Sequence, residues 1–291
     1  MQPRFDRSLL LLPLLAVLLP ASTLAQEVPV HEKFIPTLWV QTAIEWEGLC
    51  RQAYQQARAA LDFALKKNKR HSAALEQTGS LKRKKPAVIL DIDETVLDNS
   101  PGQARQVLAN TGFVPKDWAA WVNEAQAKPI PGALAFCRYA ASRGVAVIFV
   151  TNRDASEEAA TRRNLAHWGF PLDARMDTVL TRGEKPEWNS SDKGTRRAAV
   201  AATHRIVLLV GDDLGDFLGG ARTTLAERRK LTAPHAERWG RDWIALPNPG
   251  YGSWEDALYD QPRPATPELR IKQKQRYLDT GGAAALAADS R

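Results

Sequence analysis

The sequence is poor in cysteine and histidine. Its 291 residues include two cysteines and five histidines, too few for a disulfide scaffold or a zinc cluster. Cys137 lies on the apolar face of a predicted helix, where a free cysteine serves as a small core residue. Although an exported chain could join Cys50 to Cys137, we expect two free, buried thiols.

Long apolar runs are also scarce. The run from Leu9 to Leu19 is almost all leucine, but it is shorter than the roughly 20 residues that span a bilayer. Two arginines precede it and small residues follow it up to Ala25, a pattern typical of a cleaved secretory signal peptide over residues 1–25. Because the first cysteine is Cys50, we expect no lipid anchor, no stable membrane attachment and a periplasmic or secreted location.

The charge balance is basic, with a formal net charge of +7, which favours acidic partners. Basic runs occur at 66–70 and 82–85, and we interpret both as solvated surface. Neither has a nucleic-acid-binding motif or an aromatic platform beside it. The sequence therefore predicts no nucleic-acid partner.

Short apolar runs alternate with helical periodicity along the chain, a pattern that predicts an α/β fold with a doubly wound parallel sheet. We expect an N-terminal helix over 36–68, a small, mainly helical cap inserted at about 99–131, and a disordered tail over 281–291. Residues 26–280 then form one domain. The predicted strands are 87–90, 145–150, 178–180, 206–210 and 243–246, and the further helices are 131–142, 156–167, 193–202 and 266–277.

Polar residues follow three of these strands, in the segments 91–93, 151–153 and 211–213. Ligands of such sheets bind at the carboxyl ends of the strands, so we expect the three segments to share a site. Acidic oxygen ligands without histidine or cysteine suit Mg²⁺. A carboxylate can also attack phosphorus. Each residue taken singly could be a helix cap, a turn residue or a surface charge; their joint position at successive strand ends favours phosphoryl chemistry.

Four segments resemble the motifs of the haloacid-dehalogenase (HAD) superfamily. Asp91–Asn99 reads Asp-Ile-Asp-Glu-Thr-Val-Leu-Asp-Asn, and this long form resembles, more narrowly, the class C acid phosphatases, which are related to the bacterial lipoprotein nucleotidases. Val150–Arg153, Lys193–Arg196 and Gly211–Phe217 resemble the second, third and fourth motifs. The resemblance covers about residues 36–260.

The resemblance implies a role for each matching residue. Asp91 would be the nucleophile and Asp93 the general acid and base. The implied Mg²⁺ ligands are Asp91, Asp93 (through its main-chain oxygen), Asp212 and Asp216, and the implied phosphate-binding residues are Thr95, Thr151, Asn152 and Lys193.

Aromatic residues outside these motifs bear on specificity. Trp118 and Tyr251 resemble family positions whose rings flank the substrate base, and a packing role for Trp118 is an equal alternative. For Trp121 we expect packing only. Gly102 stands where the family often has an aromatic residue, so we expect one wall of the pocket to be more open.

These features predict an exported, Mg²⁺-dependent acid phosphatase that hydrolyses phosphomonoesters, either nucleoside monophosphates or aryl phosphates, through an aspartyl phosphate. Its partner would be a small phosphomonoester. Two alternatives remain: a phosphotransferase that uses the same site, and a non-catalytic surface protein that binds nucleotides or anions. The oligomeric state stays open, with a homodimer among the options.

Overall fold

The computed structural model describes residues 31–67, 72–259 and 263–281, so the predicted signal peptide and nearly all of the predicted tail lie outside the described residues. The helices are α1 (Phe34–Thr42), α2 (Ile44–Lys67), α3 (Ser100–Leu108), α4 (Pro115–Glu124), α5 (Ala133–Ser142), α6 (Glu158–Trp168), α7 (Gly194–Thr203), α8 (Leu225–Thr232), α9 (Ser253–Asp256) and α10 (Pro267–Gln275). The strands are β1 (Lys85–Leu90), β2 (Leu97–Asp98), β3 (Lys128–Pro129), β4 (Ala146–Asp154), β5 (Val179–Arg182), β6 (His204–Gly211) and β7 (Trp243–Ala245).

The main sheet is parallel, with the strand order β5-β4-β1-β6-β7. From the central strand β1 the chain moves outward through β4 to β5, then returns past β1 to form β6 and β7. This reversal makes the carboxyl ends of β1 and β6 a topological switch point, where such sheets bind ligands. The predicted doubly wound α/β fold is confirmed.

Both faces of the sheet are covered, which explains why its strands are continuous apolar runs. Alternate residues of β1 point to opposite faces. Val88 and Leu90 belong to a core that they share with α2 and α5, whereas Ala87 and Ile89 belong to a second core that they share with Val200 of α7.

The prediction of one N-terminal helix over 36–68 is wrong, because the chain leaves the helical conformation at Ala43. This residue has an extended conformation with ψ 123°, and it separates α1 from α2. α1 contacts α3, while α2 packs against α5 and β6. The apolar repeat through Trp39, Ala43 and Trp46 continues across the break, so periodicity could not reveal it.

The insertion between β1 and α5 consists of α3, α4 and a short antiparallel pair in which Leu97 of β2 faces Pro129 of β3. No helix among the described residues combines the length and the apolar character needed to cross a membrane.

Both cysteines are free and buried, as expected. Burial raises the pKa of Cys50 in α2 to about 12 and raises the pKa of Cys137 in α5 as well.

Candidate active site

Three neighbouring strand ends bring the predicted residues together. Asp91 directly follows β1, Thr151 to Arg153 form the end of β4, and Asp212 directly follows β6. Because β4 and β6 lie on either side of β1, these side chains share the carboxyl edge at the centre of the sheet.

Lys193 lies just before α7, and its ammonium group reaches into this edge. The Nζ atom donates to Oδ1 of Asp91 and, at 2.6 Å, to Oδ1 of Asp216. Carboxylate oxygens of Asp91, Asp212 and Asp216 lie within 4.8 Å of one another. The ammonium of Lys193 thus bonds to two of these three carboxylates, and the four groups together carry two net negative charges when all three carboxylates are ionised.

The pKa values of these groups reflect burial first and the neighbouring charges second. Burial raises the pKa of Asp91 to about 7 against the opposing effect of Lys193, and the Asp216 carboxylate adds to the rise. The pKa of Asp212 is also raised, first by burial and then by the other two carboxylates. Burial alone would lower the pKa of Lys193, but the nearby carboxylates outweigh it and raise that pKa.

A divalent cation fits this cluster. Its donors are all carboxylate oxygens, which hard cations prefer. Two positive charges would balance the net charge of these four groups and relieve the carboxylate repulsion, which adds to the effect of burial on the pKa values of Asp91 and Asp212. Asp91, Asp212 and Asp216 are therefore residues that could hold a divalent metal.

The turn after β6 orients Asp216 and gives Asp213 a structural role. The Oδ2 atom of Asp216 accepts the main-chain N–H groups of Asp212 and Asp213, at 3.1 and 3.0 Å. Asp213 caps the same turn by accepting the N–H of Gly215 at 2.8 Å, and it also accepts the hydroxyl of Ser253 at 2.8 Å. Asp213 thus stabilises the loop that carries two of the three clustered carboxylates.

Two side chains orient Asp212. The hydroxyl of Thr95 donates to Oδ1 at 3.0 Å, and the amide of Asn248 donates to Oδ2 at 2.8 Å. Thr95 therefore contacts a candidate metal ligand, and its phosphate-binding role stays a prediction. Asn248 has no place in the four motifs, so sequence reasoning missed it.

Arg153 and Asn99 hold the side chain of Asp93. The Nε and one terminal nitrogen of Arg153 contact Oδ1 of Asp93 at 2.9 and 2.8 Å, and the amide of Asn99 donates to the same oxygen at 2.9 Å. All three contacts converge on Oδ1. The Arg153 side chain is 1% exposed, whereas that of Asp93 is 18% exposed, so Asp93 can reach a ligand while its partner cannot.

The side chains of both predicted phosphate-binding residues of β4 form hydrogen bonds within the protein. Thr151 is fully buried, and its hydroxyl accepts the main-chain N–H of Arg153 at 3.1 Å. The side chain of Asn152 donates to the carbonyl of Ser191 at 3.0 Å and accepts from Arg196 at 2.7 Å. A phosphate contact from Asn152 would therefore come from its main-chain N–H.

The aromatic residues fall into two groups. Trp118 is partly exposed and its ring lies 5.8 Å from the Arg153 guanidinium, while Tyr251 is partly exposed and bonds to Glu94. Trp118 therefore lies beside the side chain that holds Asp93, and Tyr251 contacts the residue that follows Asp93. Trp121 is buried and donates to Asn99 at 2.9 Å, which confirms its packing role.

Gly102 is buried against the indole of Trp121, and its effect on the openness of the pocket wall stays a prediction. A Cβ atom at this position would stand 2.9 Å from the ring. The glycine thus allows α3 to pack closely against α4.

Sequence reasoning also assigned no role to Arg153, Asn99 or Glu94. All three lie within the segments that resemble the family motifs, and this position was the only sign in the sequence that they could have a role. The partners of their side chains depend on the folded chain.

The fold and this acidic, lysine-bearing site define a class of enzyme. The family model for acid phosphatases of the HAD superfamily, subfamily IIIB, matches residues 21–254, and the chain belongs to this family. Among solved structures, the class C acid phosphatase from Bacillus anthracis is 35% identical, with a TM-score of 0.75 over 87% of this chain and 99% of that chain. A tungstate-bound structure of a class C acid phosphatase from the same organism is 34% identical, with a TM-score of 0.74 and the same coverage. The predicted resemblance to class C acid phosphatases is confirmed.

Two plant proteins share part of the sequence. A stem 28 kDa glycoprotein and a stem 31 kDa glycoprotein from Glycine max are each 26% identical over 154 residues, or 52% of this chain. The match spans 59% of the first and 51% of the second, so the chain spans about half the length of these curated relatives.

Proposed function

We propose that this chain is an exported, Mg²⁺-dependent acid phosphatase that hydrolyses phosphomonoesters through an aspartyl phosphate on Asp91. The observation that carries the proposal is the buried Asp91 carboxylate, paired with Lys193 and clustered with Asp212 and Asp216 at the switch point of the sheet. The relative with bound tungstate supports it, since tungstate, like phosphate, is a tetrahedral oxyanion.

In the first step, a carboxylate oxygen of Asp91 attacks phosphorus, and the bond between phosphorus and the ester oxygen breaks. Asp93 gives its proton to the departing oxygen, which leaves as an alcohol. Because Arg153 and Asn99 both contact Oδ1 of Asp93, Oδ2 is the oxygen that carries this proton. Lys193 balances negative charge beside the nucleophile.

In the second step, Asp93 accepts a proton from water as the water oxygen attacks phosphorus. The bond between phosphorus and Asp91 breaks, which releases inorganic phosphate and restores both carboxyl groups. The buried hydroxyl of Thr151 and the ammonium of Lys193 would hold phosphate oxygens in both steps.

Asp91, Asp212, Asp216 and the main-chain oxygen of Asp93 would hold the metal. When bound, a divalent cation would neutralise charge on the phosphate oxygens. We favour Mg²⁺ because every candidate donor is an oxygen and Mg²⁺ is bound by few carboxylates together with phosphate.

The substrate class and the location extend the proposal. Partly exposed rings of Trp118 and Tyr251 beside the site favour phosphomonoesters with a flat ring, such as nucleoside monophosphates or aryl phosphates. The arginines, apolar run and small residues of segment 1–25 favour export. The mass of the protein recovered from the periplasm or medium would test cleavage after Ala25.

The central test is release of inorganic phosphate from nucleotides, sugar phosphates and aryl phosphates, in the presence and absence of a competing alcohol. Hydrolysis by the wild type and no turnover by Asp91→Asn, with an unchanged circular dichroism spectrum, are expected. Transfer of most phosphate to the alcohol would indicate a phosphotransferase. Absence of product with every substrate would indicate a binding protein, and full activity of Asp91→Asn would exclude the proposed nucleophile.

A further inference from the structure

Glu94 lies between Asp93 and Thr95 in the segment Asp91–Asn99, yet neither step of the proposed reaction uses it. Its side chain is buried, with the residue 5% exposed. Buried carboxyl groups are rare unless they are bonded. The hydrogen bonds of Glu94 therefore indicate why the chain keeps a carboxyl group here.

Three side-chain or main-chain groups converge on this carboxyl group. The main-chain N–H of Asn99 and the amide of Gln103 contact Oε1 at 3.0 and 3.1 Å. The hydroxyl of Tyr251 bonds to Oε2. Asn99 directly precedes α3 and Gln103 lies within it, whereas Tyr251 lies in the loop after β7, so Glu94 joins two parts of the chain that surround the site.

The backbone at Glu94 is left-handed, with φ +58°. A residue with a Cβ atom adopts this conformation only at an energetic cost, whereas glycine adopts it freely. Non-glycine residues in this region concentrate at sites where the surroundings hold them for a function. Glycine would avoid this cost at position 94, but it would lack the carboxyl group that makes these bonds.

The residues that bond to Glu94 are also connected to the proposed catalytic aspartates. Asn99, whose main chain bonds to Glu94, also holds Asp93 through its side chain. Asn248 lies three residues before Tyr251 in the same loop and holds Asp212. A shift of the Glu94 carboxyl group would therefore move the loop that bears Tyr251 relative to the catalytic aspartates.

The ring of Tyr251 is fixed from two directions. Its hydroxyl is held by Glu94, and the ammonium of Lys33 lies 5.1 Å from the ring centre. Gly250 packs against Gln103, since a Cβ atom there would stand 3.0 Å from the Gln103 oxygen. Tyr251 is nonetheless partly exposed, so its ring can contact a ligand.

We propose that Glu94 is a positioning residue, which fixes the Tyr251 ring and the start of α3 relative to Asp91 and Asp93. It thereby sets the preference for phosphomonoesters whose alcohol carries a flat ring. This inference rests on the proposed function for its substrates, but the positioning itself can be measured by binding alone.

The test compares the dissociation constants of phenylphosphonate and methylphosphonate, two phosphate mimics that the enzyme cannot hydrolyse and that differ by one ring. Tyr251→Phe keeps the ring and removes only the hydroxyl that bonds to Glu94. We expect the preference for phenylphosphonate to fall roughly tenfold in Tyr251→Phe, as for one lost hydrogen bond. The loss in Glu94→Ala should be at least as large, because this change also removes the contacts with Asn99 and Gln103. Methylphosphonate, which has no ring, should lose much less affinity than phenylphosphonate in both variants.

The double variant should lose no more preference than Glu94→Ala alone, because Tyr251→Phe breaks a contact that Glu94→Ala already removes. Glu94→Gln should recover part of the preference, since its amide can still bond to its neighbours. Tyr259→Phe is the matched control: it removes a similar tyrosine–glutamate bond, 2.8 Å long, to Glu255, and should leave both dissociation constants unchanged.

A Tyr251→Phe variant that keeps the full preference would overturn the inference, and this variant carries the test if Glu94→Ala fails to fold. Equal losses for the two ligands, or a wild type without any preference, would overturn it as well. Failure of the proposed function would be recognised separately, as absence of phosphate release by a wild type that still prefers phenylphosphonate.

Discussion

Replacing Arg153 with lysine should impair hydrolysis most for substrates with a poor leaving group. Two nitrogens of the buried Arg153 side chain contact Oδ1 of Asp93 at 2.8 and 2.9 Å. A lysine keeps the charge but cannot reproduce this forked contact. Asp93 would lose its fixed orientation, on which proton transfer to the departing alcohol depends.

The size of the effect follows from the contacts that remain. Asn99 still holds Oδ1 of Asp93 at 2.9 Å, so we count the loss of one hydrogen bond involving a charged group, about 1.5–3 kcal/mol. If the whole loss appears in the transition state, kcat/KM falls roughly 10- to 150-fold. A general acid contributes about 10²–10⁴-fold, so Arg153→Lys should be less impaired than Asp93→Asn.

The assay compares kcat/KM for 4-nitrophenyl phosphate and glycerol phosphate. The 4-nitrophenolate ion leaves without a proton, whereas the glycerol oxygen must be protonated as it leaves. Arg153→Lys should therefore lose much more activity with glycerol phosphate. Asp93→Asn should show the same selectivity, with a larger loss.

A matched control comes from Arg197, which is also fully buried and pairs with Glu76 at 2.7 Å. Arg197→Lys should lower the melting temperature and leave the ratio of the two kcat/KM values unchanged. Equal losses for both substrates in Arg153→Lys would refute the reasoning, because the effect would then be independent of proton transfer.

Three further predictions concern the metal, the thiols and the cap. Chelation should stop phosphate release and Mg²⁺ should restore it, and a Mg²⁺ concentration 100 times the Kd should stabilise the fold by about 2.7 kcal/mol; full activity after exhaustive chelation would contradict this. Cys50 and Cys137 should react with a thiol reagent only after unfolding, since burial raises both pKa values and leaves little thiolate at mildly alkaline pH; rapid labelling of the folded protein would contradict this. Gly102→Ala should lower the free energy of unfolding by about 1–3 kcal/mol, because its Cβ atom would meet the Trp121 ring; an unchanged urea midpoint with an unchanged m-value would refute the contact.

The class of fold was predictable because burial on both faces requires β1, β4 and β6 to be continuous apolar runs. The position of Asp91 and Asp212 was predictable for a related reason, since parallel strands end at a common edge and each aspartate directly follows its strand. The apolar strands and the aspartates that follow them in the sequence were therefore enough to predict where the acidic groups meet.

The apolar periodicity of the sequence did not predict the break between α1 and α2 or the packing within the insertion. The apolar repeat runs through Ala43 without interruption, although the helix ends there, because α1 and α2 pack against different neighbours. Gly102 gave no sign of its contact with Trp121, which depends on how α3 packs against α4.

Only the tertiary structure decided which side chains hold Asp93 and Glu94. Arg153 contacts Asp93 across 60 residues, and Tyr251 contacts Glu94 across 157 residues. Sequence alone determined the strands, the order of the motifs and the chemical type of the site, because these follow from local hydrophobic pattern and residue type. The pairings that orient Asp93 and Tyr251 depend on loop conformation and side-chain direction, and these are set only when distant segments pack together.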